Sequence, residues 1–274
     1  MPEKKLQKLT SILKEMKGAV VAFSGGTDST LLLKIASDAL SDKVLAVTAS
    51  SETYPKEELK EARKLACHLD VKHKIVKTGE WEDEHFRANP IDRCYFCKKE
   101  LFKTLKGIAE KEGLPFVVDG TTKSDLSDFR PGGRAAKEFE VRHPLLEAGF
   151  TKEEIRALSR KFHLPTSEKP AAACLASRIP YGTPLTREAL EKVEKAEKYL
   201  RSLGITGNIR LRYHCETARI EVDSSSFRKI LAGHHKIAQY LKKLGFKFIT
   251  LDLEGYRTGS LNPKQKKKVR VFGT

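Results

Sequence analysis

The sequence has little of what secreted or membrane-spanning proteins need. Five cysteines among 274 residues are too few, and odd in number, for a disulfide framework. Thiols, metal ligands or redox chemistry in a reducing compartment fit that usage better. No run approaches the ~20 apolar residues of a membrane span. The opening stretch MPEKKLQKLTSILKEMKG is charged and lacks the apolar region of a secretory signal. A cytoplasmic protein with no membrane partner is therefore expected. Acidic residues are in the minority, 36 against 52 Lys and Arg, for a formal net charge of +16. The excess suits a polyanionic partner (nucleotide, phosphate ester or RNA), and equally a solvated lysine-rich surface. There is one tryptophan, and Asn and Gln together number six amid abundant Lys and Glu, a composition suited to heat. Hydrophobic residues still make up 39%, enough for packed cores, which excludes disorder. At roughly 150 residues per domain the length predicts about two domains.

Short apolar runs alternate with helical stretches over the first part of the chain. Residues 3–17 read as an amphipathic helix, GAVVAFS (18–24) as a strand, and STLLLKIASDAL as a helix. KVLAVTAS (43–50) is a second strand, 54–69 a helix with Pro55 in its first turn, and 71–78 a third strand. Residues 97–111 read as a helix, and PFVVDGTT (115–122) as a fourth strand. Such alternation predicts an α/β fold with a parallel sheet flanked by helices. A helix at 151–164 opens on a capping box, Thr151 with Glu154. A loop rich in Pro, Ala and Ser follows at 165–184. The last ninety or so residues read as a small α+β unit: helix 186–203, strands 208–214 and 217–222, helix 223–243 and strand 246–253. This places a domain boundary between 1–182 and 183–274. KQKKK (264–268) is a charge run of the usually solvated kind.

SGGTDS (24–29) stands directly between the first strand and the following helix. Gly25 and Gly26 let the backbone approach a ligand closely. Exposed N–H groups and the helix N-terminus favour an anion. Ser24 and Ser29 can donate hydroxyl hydrogen bonds, and Asp28 can help to hold Mg²⁺ or orient the loop. No Walker lysine is present, which excludes the usual kinase or GTPase loop. The motif resembles the PP-loop of the adenine nucleotide alpha-hydrolase-like superfamily. That resemblance implies ATP cleavage between the α and β phosphates, adenylation of a carboxylate or carbonyl oxygen, and release of pyrophosphate. The competing reading is a glycine-rich strand-to-helix turn. Thr48, Ala49 and Ser50 end the second strand, and Asp119 and Gly120 the fourth, all at the carboxyl edge where such sheets bind ligands.

RCYFCKKELF carries Cys94 and Cys97 three residues apart at a helix start, so both can face one ion. Cys174 lies far along the chain, in AAACLASRIPYG. Three thiolates suit a 4Fe–4S cluster with one open iron. A redox pair, a zinc half-site or coincidence remain open, although a zinc site wants a fourth ligand that is not evident. Cys67 reads as core and Cys215 as a structural residue near a strand end. Trp81 reads as packing at a loop edge, and the histidines, His143 among them, as structural or surface groups.

SGGTDS, DFRPG (128–132), CLASRIPYG (174–182), AEKYLRSLG (196–204) and RLRYHCETARIEV (210–222) occur in this order. Together they resemble the ATP-dependent sacrificial sulfur transferase family LarE over nearly the whole chain. The resemblance implies adenylation of a carboxylate of pyridinium dicarboxylic acid mononucleotide, then replacement of an oxygen by sulfur. The product would be a thiocarboxylate for nickel-pincer nucleotide synthesis, placing the chain among the enzymes of that route. One family variant sacrifices a single cysteine; the other holds a 4Fe–4S cluster on three. Cysteines at 94, 97 and 174 match the second. By resemblance, Cys174, Asp28 and Arg178 are the catalytic positions, with Arg178 placed to meet an anionic substrate. Arg210 and Arg212 correspond to substrate-phosphate arginines, and Glu197 and Glu221 to divalent-metal positions. Arg130 is a candidate nucleotide contact. The family implies a homo-oligomer that uses ATP and Mg²⁺. Three other readings stand beside it. Thiolation of tRNA fits the +16 charge but lacks a recognisable RNA-binding module. A non-catalytic nucleotide binder with structural zinc fits the cysteines. An amide-forming ligase lacks any glutaminase feature.

Overall fold

The computed structural model describes residues 2–127, 131–170 and 173–262. Up to the fourth strand the elements are α1 (Pro2–Met16), β1 (Ala19–Ala22), α2 (Thr27–Leu40), β2 (Val44–Ser50), α3 (Lys56–His68), β3 (His73–Lys77), α4 (Glu84–Arg87), α5 (Arg93–Glu112) and β4 (Phe116–Val118). Then come α6 (Gly132–Glu138), α7 (Pro144–Glu147), α8 (Lys152–Lys161), α9 (Arg187–Ser202), β5 (Ile209–His214), β6 (Thr217–Val222), α10 (Phe227–Ala232), α11 (His234–Lys243) and β7 (Phe248–Leu251).

The first four strands form a parallel sheet in the order β3-β2-β1-β4. Successive side chains of a strand point to opposite faces, and the apolar strands β1 and β2 bury both. Ala19, Val21, Val44 and Ala46 pack with α1, α2, α3 and α8 on one face, through Leu9, Leu31, Ala62 and Ile155. Val20, Leu45 and Val47 pack on the other with Phe102 and Leu105 of α5 and Ala135 of α6. The α/β expectation, a parallel sheet flanked by helices, is met. The order also sets a switch point. The chain leaves β1 toward β2, while β4 lies on the opposite side, so the loops after β1 and β4 open a crevice at the carboxyl edge.

The second sheet is smaller, in the order β5-β6-β7, with β5 and β6 antiparallel and β6 and β7 parallel. Ile209, Leu211, Ile220 and Val222 face a core built on Leu190, Val193 and Leu200 of α9 and Ile237 and Leu241 of α11. The opposite face carries Arg210 across from Glu221 and Arg212 across from Arg219. The core of this sheet also takes in Trp81, Phe86, Leu175 and Ile179, supplied by segments outside it. Trp81 is thus a core residue rather than a loop-edge one.

Other departures have local causes. The capping box at Thr151 and Glu154 forms, and α5 ends at a left-handed Gly113. The expected helix 223–243 is instead a 3-10 turn, Ser224–Ser226, followed by α10 and α11, with Gly233 between the two helices. Three serines and a glycine are weak helix formers there. Pro55 stands at the N-cap of α3, just before its first turn. Cys67 is exposed, because α3 buries Ala62, Leu65 and Ala66 and position 67 lies off that stripe. Cys215 is exposed too, with φ 54° in the turn joining β5 and β6. No helix among the described residues is long and apolar enough to cross a membrane.

Candidate active site at the carboxyl edge of the parallel sheet

The loop from Ser24 to Ser29 is bent by its first glycine. Gly25 has φ 64°, and a Cβ there would stand 3.1 Å from Cα of Ala62. Both facts require glycine. Gly26 caps α2 and offers its first turn no side-chain acceptor. The Ser24 and Ser29 hydroxyls lie 3.1 Å apart, and Ser29 donates to the Gly26 carbonyl at 3.2 Å. Three outside groups brace the loop. Tyr54 donates to the Ser24 carbonyl at 2.6 Å, Lys169 to the Gly25 carbonyl at 3.2 Å, and Thr27 to the Thr166 carbonyl at 2.7 Å. Lys169 also pairs with Glu58 and Glu61 of α3. Gly120, just past β4, lies against the start of α2. A Cβ on it would meet the Ser29 nitrogen at 3.1 Å and the Asp28 carbonyl carbon at 3.3 Å. The loops after β1 and β4 are therefore in contact at the switch point.

Beside them stands an acid–histidine pair. Arg142 bridges to Val118 alongside β4, which sets His143 next to Asp119. Their side chains meet at 2.7 Å. Burial opposes ionisation of Asp119. The His143 hydrogen bond, the Lys98 and His143 charges and the Thr121 N–H outweigh it and bring the carboxyl down to about 2. The same hydrogen bond, working against burial, raises the imidazole above its ordinary value.

The cysteines lie on two elements. Cys94 and Cys97 occupy the first turns of α5, and Cys174 caps a 3-10 turn, Leu175–Arg178. All three are half-buried. The Cys174 carbonyl is held by the Ser177 hydroxyl at 2.8 Å and by Arg178 at 3.0 Å, and Leu175 N–H donates to the Thr53 carbonyl at 2.8 Å. Burial and then the Cys174 charge push the Cys94 thiol up, against Arg93 and Lys98. Burial, then Glu80 and Cys174, push Cys97 up. The three sulfurs thus share one neighbourhood. Among the described residues no three His, Cys, Asp or Glu side chains close on a single ion. Three thiols are nevertheless the ligand number that an iron–sulfur cluster with one open iron would take.

The polar face of the small sheet looks onto the Cys174 turn. Arg178 forks onto Glu197, at 2.9 and 2.8 Å, with both side chains buried. Glu197 also accepts from the Leu211 N–H at 3.0 Å. Arg212 reaches Glu221 at 2.9 Å, the Ser177 carbonyl at 2.9 Å and Ser260 at 2.8 Å. Glu221, fully buried, also holds Arg219 at 2.9 Å. Arg210 stands 5.2 Å from the centre of the Tyr256 ring. Burial and the nearby Arg178 charge lower its pKa. Four guanidiniums gather here around two glutamates, a largely buried basic cluster beside the Cys174 turn.

Several sequence expectations change in detail. Arg178 bonds Glu197 and the Cys174 carbonyl, and through the second contact it shapes the cysteine turn. Glu197 and Glu221 present their oxygens to Arg178 and to Arg212 and Arg219 respectively. Thr48 is buried and bonds the Phe23 carbonyl and His73, bracing the strands below the crevice. Ser50 lines a depression with Tyr54, Leu175 and Arg187. Arg130 lies outside the described residues. Lys169, Tyr54, Thr53, Lys98 and His143 were missed: each is a lone residue in a loop or helix, without motif spacing.

Comparison with known proteins fits this geometry. The NAD synthase family model matches residues 3–89, the stretch that contains the phosphate loop. An uncharacterized protein of Synechocystis sp. is 42% identical over 264 residues, 96% of this chain and 98% of its own length. The pyridinium-3,5-bisthiocarboxylic acid mononucleotide synthase of Lactiplantibacillus plantarum is 40% identical over 255 residues, 93% of this chain and 92% of its own. An uncharacterized protein of Methanocaldococcus jannaschii is 31% identical over 258 residues, 93% of this chain and 98% of its own. At that identity over nearly the whole of both chains, the chain belongs to the LarE family of the L. plantarum synthase.

Proposed function

We propose that this protein is an ATP-dependent sulfur transferase acting on pyridinium dicarboxylic acid mononucleotide, within nickel-pincer nucleotide synthesis. One observation carries the reading: consecutive residues tie the phosphate loop to the cysteine turn. The Thr53 carbonyl holds Leu175, next to Cys174, and the Tyr54 hydroxyl holds Ser24. A phosphate site and a sulfur site built this closely suit a reaction that activates and then thiolates the same carboxylate.

In this reading residues 1–182 activate and residues 183–274 hold the substrate. The N–H groups at Gly25, Gly26 and the start of α2 bind the ATP phosphates, with Asp28 in that first turn beside Mg²⁺. A substrate carboxylate oxygen attacks the α-phosphorus, and pyrophosphate leaves with the electron pair of the broken P–O bond. The acyl-adenylate is a good electrophile, since AMP is its leaving group. Sulfur attacks the carbonyl carbon, AMP departs with the C–O bonding pair, and no oxidation state of carbon changes. Arg210 and Arg212 suit the substrate phosphate, because a guanidinium fork matches that anion better than an ammonium does. Arg178 fixes the position of Cys174. Cys94, Cys97 and Cys174 would hold a 4Fe–4S cluster, which supplies an open iron for a sulfide when bound. The exposed Leu231, Phe248 and Leu253 of the small unit support a homo-oligomer, and the thiol-rich site supports a cytoplasmic place.

Anaerobically reconstituted protein, given ATP and the dicarboxylate nucleotide, is expected to yield AMP, pyrophosphate and the thioacid. Cys174→Ala should still release pyrophosphate and give no thioacid. A fully loaded protein that makes no thioacid would sink the proposal. A fall in the mass of the protein by one H₂S after turnover would instead assign Cys174 as a sacrificed donor. Thiolation of tRNA is supported by the +16 charge and by the combination of a phosphate loop with a cysteine pair and a third cysteine, and binding of tRNA that weakens steeply with salt would be its signature.

A further inference from the structure

The Asp119–His143 pair is open mainly on the histidine side. The Asp119 side chain is 10% exposed and that of His143 24%. Nδ1 of the imidazole meets the carboxylate at 2.7 Å, and Nε2 has no hydrogen-bond partner among the described residues. Backbone fixes the pair in place. Asp119 N–H donates to the Arg142 carbonyl at 3.1 Å, and Arg142 N–H to the Val117 carbonyl at 3.0 Å. Arg142 thus extends the parallel sheet past β4, and His143 follows two strand spacings from β1, about 10 Å. Between the two lies Gly120, packed on the Ser29 nitrogen. The Cys174 turn is tied on the other flank of the phosphate loop. Leu175 donates to Thr53, which follows β2, and β2 and β4 lie on opposite sides of β1. Charges around the imidazole leave a positive surplus when it is protonated. Asp119 lies beside it, Lys98 of α5 acts on both members of the pair, and Glu147 of α7 is paired with Arg142. The Asp119 hydrogen bond favours the protonated form.

We propose that His143 is a catalytic residue that donates from Nε2 to the terminal phosphates of ATP, the part that departs as pyrophosphate. The inference rests on the adenylation step of the function proposed above. A phosphoryl displacement keeps its attacking and leaving oxygens roughly in line. The carboxylate to be thiolated comes from the flank of the Cys174 turn, so pyrophosphate leaves toward the other flank, where His143 stands. The bond between the α-phosphorus and the bridging oxygen breaks, and that oxygen keeps the electron pair. Negative charge gathers on the departing phosphates, and a charge-assisted hydrogen bond from the imidazolium stabilises it. The imidazolium keeps its proton, so the step balances without a further base. Asp119 orients the ring and sustains its charge. SGGTDS has no lysine of its own, and His143 brings a cation to the loop from a neighbouring segment.

The test uses the full chain, wild type and His143→Gln, with Mg²⁺ present, and follows binding of inorganic pyrophosphate and of AMP by calorimetry from pH 6 to pH 10. At pH 6 wild type is expected to bind pyrophosphate about tenfold more tightly than His143→Gln. Both proteins meet the same titration of the ligand, so the ratio of their affinities isolates the imidazole. That ratio should fall toward one as pH rises through the raised value of His143. AMP, which carries the α-phosphate alone, should bind the two proteins equally. A ratio near one at every pH overturns the assignment. An equal loss of AMP and pyrophosphate, the mark of a merely structural residue, overturns it as well. If the variant does not fold, NMR of the wild-type imidazole decides. Pyrophosphate must raise the pH at which His143 titrates, and an unmoved titration refutes the contact. Wild type that binds neither ligand refutes the adenylation step and the assignment with it. Wild type that shows the pyrophosphate signature and makes no thioacid upholds His143 while the proposed sulfur transfer fails.

Discussion

Arg178 and Glu197 show how much one side chain can depend on another. Both are buried, and they meet through two nearly parallel hydrogen bonds. Removing one partner from such a pair leaves a desolvated charge and costs about 3–5 kcal/mol. Glu197→Ala is expected to lower stability by that amount in urea unfolding, and the double change Arg178→Met, Glu197→Leu by much less. Equal losses would mean that Arg178 is sustained by the Cys174 carbonyl and not by the glutamate. Asp119 and His143 make a second pair, with opposite signs of pH dependence. The Asp119 carboxyl, lowered from 3.8 to about 2, gives stability that is present above pH 3.8 and lost as pH falls toward 2. The His143 imidazole is raised above 6.5, so its contribution is complete below pH 6.5 and fades as pH rises through the elevated value. Urea unfolding from pH 2 to pH 9 should show both flanks, and His143→Gln should remove the alkaline one. Residues with spacing could be read from the sequence at this scale: Ser24 through Ser29, the cysteine pair, and Arg210 with Arg212. Lys169 and His143 could not, since their roles arise from a fold that brings together positions more than 20 residues apart.

Among the elements, α2 bears most directly on the site. Its start is pressed by Gly120, and a methyl group at that position would stand 3.1 Å from the Ser29 nitrogen. Backbone cannot swing aside as a flexible side chain can. Gly120→Ala is expected to cost about 1–3 kcal/mol and to weaken ATP binding, as read by calorimetry. A variant that binds ATP normally would show that the two loops can part without harm. Long periodic segments such as α1, α2 and α9 announce themselves through apolar residues at helical spacing, and the sheet strands through apolar runs between turn residues. The short helices α4, α6 and α7 carry too few residues for any period to show. The split between α10 and α11 was signalled only by Gly233, whose weak helix propensity a long amphipathic pattern easily masks. Strand β4 stops at Val118, short of the expected end, because Asp119 turns to His143 and Gly120 packs on α2.

For the whole molecule, the arresting fact is that the small sheet does not own its core. Trp81, Phe86, Leu175 and Ile179 come from before residue 183 and pack with β5, β6 and α9. A fragment of residues 1–182 would expose them, and one of residues 183–274 would lack them. Trp81 is the sole tryptophan and is 8% exposed in the intact chain, so its fluorescence reports the junction directly. The 1–182 fragment is expected to emit at longer wavelength than the intact protein and to aggregate, as exposed apolar patches do. Emission at the wavelength of the full chain would show that the first part closes over Trp81 by itself. The change of composition near residue 183 was visible in the sequence, but a shared core was not, because nothing in a linear pattern says which distant apolar residue fills which gap.

Thr53 and Tyr54 act as a ruler. Their Cα atoms are about 3.8 Å apart, and one holds the turn of Cys174 while the other holds the loop of Ser24. The gauge between the two halves of the chemistry is thus a single peptide unit, the stiffest length a polypeptide has. Tolerance to wear follows from that choice. Surface erosion or sheet breathing can alter much of the protein while the gap between the loop of Ser24 and the turn of Cys174 keeps its calibration.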